Sequence, residues 1–275
     1  MAVTSHLLAS GPGWRAGDFV CTAGPHDRPF EERHDWVCVA AVTQGTFQYR
    51  SAHGAAVLAP GAVLLGNQGR CFECGHEHAT GDRCLAFQFT PDEWEGIVAA
   101  VPGARPMFVM PSLPPLRRLM RLLAAAEAAR DANDGEEWEE LALRLAGSVA
   151  SVLAGSGGGR AARRPSRSDE RRISEALRRI EASADEPHSL ADLAREAAMS
   201  RCHFLRVFRQ VVGMTPHQFV LHTRLHRAAV RLRGSHDSVS AIAFAAGFND
   251  LSTFNRRFRR VMGASPTNWR AANSK

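Results

Sequence analysis

No apolar run in the chain approaches the ~20 residues that a bilayer-spanning helix requires, so a membrane role is not expected. The first 14 residues hold neither a basic start nor a sustained apolar stretch, which predicts a cytoplasmic protein without an export leader. No nucleophile beside a base and no glycine-rich phosphate loop stands out, so the expectation is that the chain is not an enzyme. Its six cysteines (Cys21, Cys38, Cys71, Cys74, Cys84, Cys202) lack the oxidising context a disulfide framework needs, which leaves reduced thiols or metal ligands.

What is present suits a globular protein: 275 residues, 45% hydrophobic and 23% charged, enough for two domains with a core each. The net charge of +6 is uneven. Residues 166–275 carry 19 Arg and Lys against 10 Asp and Glu, whereas the remainder is slightly acidic. A basic surplus on a folded unit attracts phosphate backbones, although it also serves plain solubility, so motifs must decide.

Residues 15–110 read as short strands at 36–43, 46–50, 56–58, 62–65 and 85–89, broken at Gly45, Pro60-Gly61 and Gly66-Asn67, which predicts a small β-barrel or sandwich. After Pro114-Pro115 the pattern turns helical. Leu116, Leu119, Met120 and Leu123 share one face, and Leu141, Leu145, Val149 and Val152 mark a second helix. This hairpin is expected to form a dimer seam, with packing onto the barrel as the alternative. The expected organisation is α+β in two domains: a barrel over 1–110, a helical hairpin over 111–154, a flexible basic linker over 155–168 and an all-α unit over 169–275.

The all-α unit contains a repeat. Residues 201–219 and 251–269 align at an offset of 50 without a gap, matching Phe204 with Phe254, Phe208 with Phe258, Gly213 with Gly263, Pro216 with Pro266 and Phe219 with Trp269. Two aromatics four apart anchor one helical face inward, glycine ends the helix, and Thr-Pro or Ser-Pro starts the next. A shorter helix and a tight turn precede each copy, with Ser189, Ser200 and Ser238 placed as N-caps and Asn249 or Asp250 filling that role in the second copy. That order is a helix-turn-helix, whose second helix enters the major groove of duplex DNA. On the first such helix Phe204, Val207, Phe208 and Val211 form the buried arc, exposing Cys202, Arg206, Arg209 and Gln210; on the second, Ser252, Asn255, Arg256 and Arg259 are exposed. Arg206 and its repeat partner Arg256 are the expected base readers, since a guanidinium can bond guanine O6 and N7 together. Arg201 and Arg209 suit phosphate. A helix over 217–233 between the copies would space the two readers by about one turn of DNA, ~34 Å.

The stretch IAFAAGFNDLSTFNRRFRRVMGASPTNWR, preceded by SLADLAREAAMSRCHFLRVFRQVVGMTP, resembles the DNA-binding domain of AraC/XylS-type regulators over about residues 170–271. The resemblance implies a tandem helix-turn-helix unit, transcriptional control through promoter DNA, often activation by contact with RNA polymerase, and a cupin-like amino-terminal domain for effector sensing or homodimerisation. It implies groove-facing positions at Cys202, Leu205, Arg206, Leu251, Ser252, Asn255 and Arg256; Cys202, Leu205 and Leu251 are apolar, which points to thymine methyl groups.

Residues 69–84, GRCFECGHEHATGDRC, are the other chemically unusual stretch. Cys71, Cys74, His76, His78 and Cys84 place five soft or borderline donors within 14 residues, and a Cys-x-x-Cys followed by histidine suits zinc or another thiophilic ion in a hairpin loop between strands. A thiol redox pair is a second reading, and small buried residues with surface histidines a third. His76-x-His78 faintly resembles the histidine pair of metal-dependent cupin enzymes, but Asp82 is the nearest carboxylate where a glutamate is expected. The rivals to a signal-responsive regulator are therefore a cupin-type enzyme fused to a DNA-binding tail and a constitutive DNA binder. An organic effector would occupy the barrel interior near Trp36, Cys38 and Phe47.

Overall fold

A computed structural model describes residues 3–76, 81–132, 137–155 and 165–272. Most of the segment expected to be a linker, and His78, lie outside them. Among the described residues ten strands form two antiparallel sheets. The larger has the order β1 (Val3–Gly11), β2 (Trp14–Cys21), β9 (Asp82–Phe89), β4 (Val37–Gly45), β7 (Val63–Gly66), β10 (Ser112–Leu113). The smaller runs β3 (Phe30–Arg33), β8 (Cys71–Gly75), β5 (Phe47–Ser51), β6 (Gly54–Leu58).

Alternation along each strand builds two separate cores. In β4, Val37, Val39 and Ala41 face outward with Leu85, Phe87 and Phe89 of β9 and Trp14 of β2. The intervening Cys38, Ala40 and Val42, with Cys84 and Ala86, face the smaller sheet and meet Phe47, Tyr49 and Leu58. Five expected strands are present within a few residues. The sequence reading gives no strand at β1, β2, β3, β8 or the short β10. It also passed over α1 (Pro91–Ala99), which Thr90 caps by accepting from the Glu93 amide.

The outer face of the larger sheet is covered by α1 and the hairpin α2 (Arg117–Ala132) and α3 (Trp138–Gly155). Here the dimer-seam expectation is corrected. Leu119, Leu123, Leu141, Leu145, Val149 and Val152 are all buried in the core shared with that sheet. Met120 and Ala124, on the other side of α2, are buried among Leu225, Ala229, Phe258 and Met262 of the carboxyl-terminal helices. Both faces of α2 are thus used within the chain, since an apolar arc this wide serves two neighbours at once.

Seven helices complete the described residues: α4 (Arg167–Ala182), α5 (Leu190–Glu196), α6 (Arg201–Val212), α7 (Pro216–Gly234), α8 (Val239–Ala245), α9 (Leu251–Met262) and α10 (Pro266–Ala271). α6 and α9 keep the offset of 50 at both ends. Each ends on a left-handed glycine, Gly213 at φ 81° and Gly263 at φ 75°, and each is followed by a capped proline-first helix. α7 has 19 residues, about 28 Å at 1.5 Å per residue. The amino-terminal elements touch these helices directly: at the end of β4 the Gly45 amide donates to Glu181 Oε1 (2.9 Å), and from α2 Glu127 Oε1 lies 2.5 Å from His226 Nε2 and Arg117 donates to the Arg260 carbonyl (2.9 Å).

Candidate nucleic-acid interface and barrel cavity

The exposed faces of α6 and α9 follow from what the opposite faces bury. Phe204, Val207, Phe208 and Val212 point into one cluster and Phe254, Phe258 and Met262 into another. The expected arc is displaced by one position, Val211 being only half-buried and Val212 buried. Rotation along each helix leaves Arg201, Cys202, Arg206, Arg209 and Gln210 exposed on α6, and Ser252, Asn255, Arg256 and Arg259 exposed on α9. Leu205 and Leu251, named through the family resemblance, are half-buried at the rim. Arg206 is held by its own helix: Nη2 lies 2.9 Å from His203 Nδ1, and His203 Nε2 lies 3.4 Å from Asp169 on α4. Ser200 caps α6. The second helix is capped by Asp250 rather than Asn249, its two carboxylate oxygens accepting from the amides of Ser252 (3.2 Å) and Thr253 (2.7 Å). Hydrogen bonds from Thr253, then Ser252, hold the Asp250 carboxyl below the usual carboxylate range. Arg260, exposed at the end of α9, extends the cationic face beyond the residues named from sequence.

Two features fix the copies relative to each other, of which Arg224 has no signature in the sequence while Gly247 is legible as a turn residue suited to positive φ. Arg224, in mid-α7, donates to the carbonyls of Ala184 (2.5 Å), Asp185 (3.3 Å), Glu186 (2.8 Å) and Gly247 (2.6 Å). One guanidinium thereby ties the approach to α5 and the turn between α8 and α9 to the connecting helix. Gly247, at φ 82°, lies so close that a Cβ there would sit 2.3 Å from the Asp185 carbonyl oxygen. The corresponding turn of the first copy is one residue shorter and puts Ala198, not glycine, at φ 49°.

Between the two sheets lies a cavity of about 790 Å³. Trp36, Cys38 and Phe47 line it as expected, together with Cys21, Cys74, His76, Asp82 and Cys84. The expected metal set is redrawn by strand parity. Residues 71–75 form β8 rather than a loop, and residues three apart on a strand face opposite ways, so Cys74 looks inward while Cys71 is exposed on the outer face. The sequence reading missed Cys21, which is far away in the chain but directly opposite Asp82 in the β2–β9 register. Cys21 Sγ, a His76 ring nitrogen and an Asp82 carboxylate oxygen lie within 4.8 Å of one another. His76 Nε2 is 2.5 Å from Asp82 Oδ1, and Cys84 Sγ is 3.4 Å from Asp82 Oδ2. Burial pushes Cys38 up to about 12 and, with the Asp82 charge nearby, pushes Cys74 and Cys84 well above the ordinary thiol range. Buried protonated thiols are poor nucleophiles, which weighs against the redox-pair reading.

The comparisons with known proteins agree with the helical geometry. A family model described as a helix-turn-helix domain matches residues 193–272. A transcriptional regulator of the helix-turn-helix type from Mycobacterium tuberculosis is 42% identical over 85 residues, 31% of this chain and 33% of that protein. The transcriptional activator AarP of Providencia stuartii is 32% identical over 102 residues, 37% of this chain and 76% of the activator. An AraC-type DNA-binding-domain regulator from Chromobacterium violaceum, solved by crystallography, shares 30% identity over 38% of this chain and 95% of its own, with a TM-score of 0.36. The match spans about a third of the length of the first curated relatives. No described helix is long and apolar enough to cross a membrane. With the 50-residue repeat and the paired helices α5–α6 and α8–α9 in the matched region, the chain belongs to the AraC family of helix-turn-helix transcription regulators.

Proposed function

We propose that this chain is a sequence-specific DNA-binding regulator in which α5–α6 and α8–α9 form tandem helix-turn-helix units reading successive major grooves, under the control of a signal received by a cupin-like two-sheet domain. The observation that carries it is the duplicated exposed face: Arg206 and Arg256 occupy the same rotation on helices with identical limits 50 residues apart. Arg206 and Arg256 contact base edges, Arg201, Arg209, Arg259 and Arg260 the phosphates, and Cys202, Leu205 and Leu251 thymine methyl groups. The Arg224 clamp supports a fixed register, which a flexible tether would lose. In this reading the amino-terminal sheets with their helical hairpin form the sensing unit, residues 169–275 the reading unit, and RNA polymerase and a second copy of the chain are the protein partners. Selection of bound sites from random duplexes tests it. Two motifs about 10 bp apart are expected, whereas equal affinity for all duplexes in moderate salt would remove the proposal.

A further inference from the structure

We infer that one corner of the barrel cavity is a binding site for a single thiophilic divalent cation of the zinc type, held by Cys21, His76 and Asp82, with Cys84 or Cys74 as the fourth ligand. The three named residues come from three strands or their ends. Cys21 closes β2, Asp82 opens β9 directly opposite it, and His76 follows β8 in the facing sheet. An ion here would join the two sheets at the ends of these interior strands. Strand parity places two further thiols on the same inward faces: Cys84 is two residues along β9 from Asp82, and Cys74 two residues before His76.

The chemistry of the set is selective. Sulfur and imidazole donors beside a single carboxylate favour zinc and its thiophilic neighbours over calcium or magnesium, which prefer oxygen ligands. Tetrahedral zinc with bonds of ~2.0–2.3 Å needs ligand atoms about 3.3–3.8 Å apart. The three donors lie within 4.8 Å of one another, so small side-chain rotations suffice. Cys21 and His76 are buried and the Asp82 side chain is 9% exposed, so a cation here would exchange water for protein ligands almost completely. His76 is further oriented by a stacked Phe47 ring, centroids 5.9 Å apart.

The site also has a route outward. Gly45 pairs with Asp82 in the β4–β9 register and gives its amide to Glu181 of α4, and α4 packs beneath α6 through Ile173, Leu177 and Phe204. As a signal input the site rests on the regulator reading; as a metal site it does not.

The full chain, stripped of metal and titrated with cobalt(II), is expected to take up one equivalent and to show thiolate-to-cobalt charge-transfer absorption with tetrahedral ligand-field bands, which zinc abolishes. Cys71→Ser should bind like the parent, while Cys21→Ser and Asp82→Asn should each lose at least tenfold in affinity. Should one of these variants fail to fold, the parent spectrum still decides. A parent chain without stoichiometric binding, or without a thiolate band, overturns the site, and so does Cys71→Ser losing the metal while Cys21→Ser keeps it. Affinity for the selected duplex is measured on the same samples. Sequence-specific binding without metal uptake removes only the cation site, and metal uptake without any duplex preference removes only the regulator reading.

Discussion

The turns of the two copies both pass through the left-handed region, but on different residue types. Ala198 holds φ 49° where the second copy has Gly247. A left-handed non-glycine residue carries a strain of about 1–3 kcal/mol. Ala198→Gly, which relieves that strain but adds freedom to the unfolded chain, should therefore stabilise the protein by about 0.5–1 kcal/mol. Gly247→Ala should destabilise by more than about 2 kcal/mol, because its Cβ meets the Asp185 carbonyl as well as the disfavoured φ. Urea unfolding of both variants checks the pair, and equal effects in the two turns would contradict it. On the reading face, Arg206→Ala and Arg256→Ala should each weaken binding to the selected site by about 1–3 kcal/mol and relax preference at one base position. A uniform loss over unrelated duplexes would instead make them phosphate contacts. These faces were legible because helical rotation follows from local spacing. The inward thiols were not: Cys21 meets Asp82 only through strand pairing across about 60 residues of chain, and Cys71 was grouped with Cys74 by closeness in sequence although a strand points them apart.

Among the elements, α7 connects the copies that hold α6 and α9, and Arg224 ties both to it. Arg224→Met keeps the length of the stem but leaves four carbonyl groups without this donor. A loss of about 2 kcal/mol or more in stability is expected, since hydrogen bonds to a charged group contribute ~1.5–3 kcal/mol. Binding to a two-motif duplex should fall much further than binding to a duplex carrying one motif, and parallel losses on both would show that the clamp does not govern spacing. The caps, the proline-first helices and the terminal glycines could all be placed from sequence because each is a contact within four residues. The start of α1 had the same Thr-Pro signature, yet it was passed over inside a stretch assigned to strands. The strands β1 and β8 escaped for another reason. The first is a mostly exposed edge with little apolar alternation, and the second is dominated by side chains that read as ligands in a loop.

Across the whole molecule, the sheets and the carboxyl-terminal helices share side chains. Met120 of α2 is 1% exposed among the residues that support α9, so Met120→Ala should cost about 2–5 kcal/mol of stability and weaken duplex binding although it lies far from the reading face in sequence. Calorimetry with a binding titration checks it, and an unfolding curve unchanged from the parent would contradict the shared core. Two buried imidazoles make the fold sensitive to acid. Burial pushes His34 down to about 4 and His222 down to about 3, whereas each titrates near 6.5 when unfolded. Above pH 6.5 both states are neutral and pH has no leverage through them. Below it the unfolded chain takes up protons that the folded chain refuses, so stability falls as pH drops from 6.5 toward 4. The melting temperature should decline more steeply between pH 6.5 and 5 in the parent than in a His34→Gln, His222→Gln double variant. Equal slopes would show that these rings protonate freely inside the fold.

The parity that turns Cys74 inward and leaves Cys71 outside has a practical chemical corollary. Cys71 and Cys202 are the exposed thiols, and the other four are buried or half-buried. A brief treatment with a maleimide should tag those two positions ahead of the rest, one on the outer wall of the smaller sheet and one at the leading turn of α6. Replacing Cys71 with serine would then leave Cys202 as the favoured anchor for a fluorophore on the exposed face of α6, a reporter that the proposed duplex binding should dim or shield.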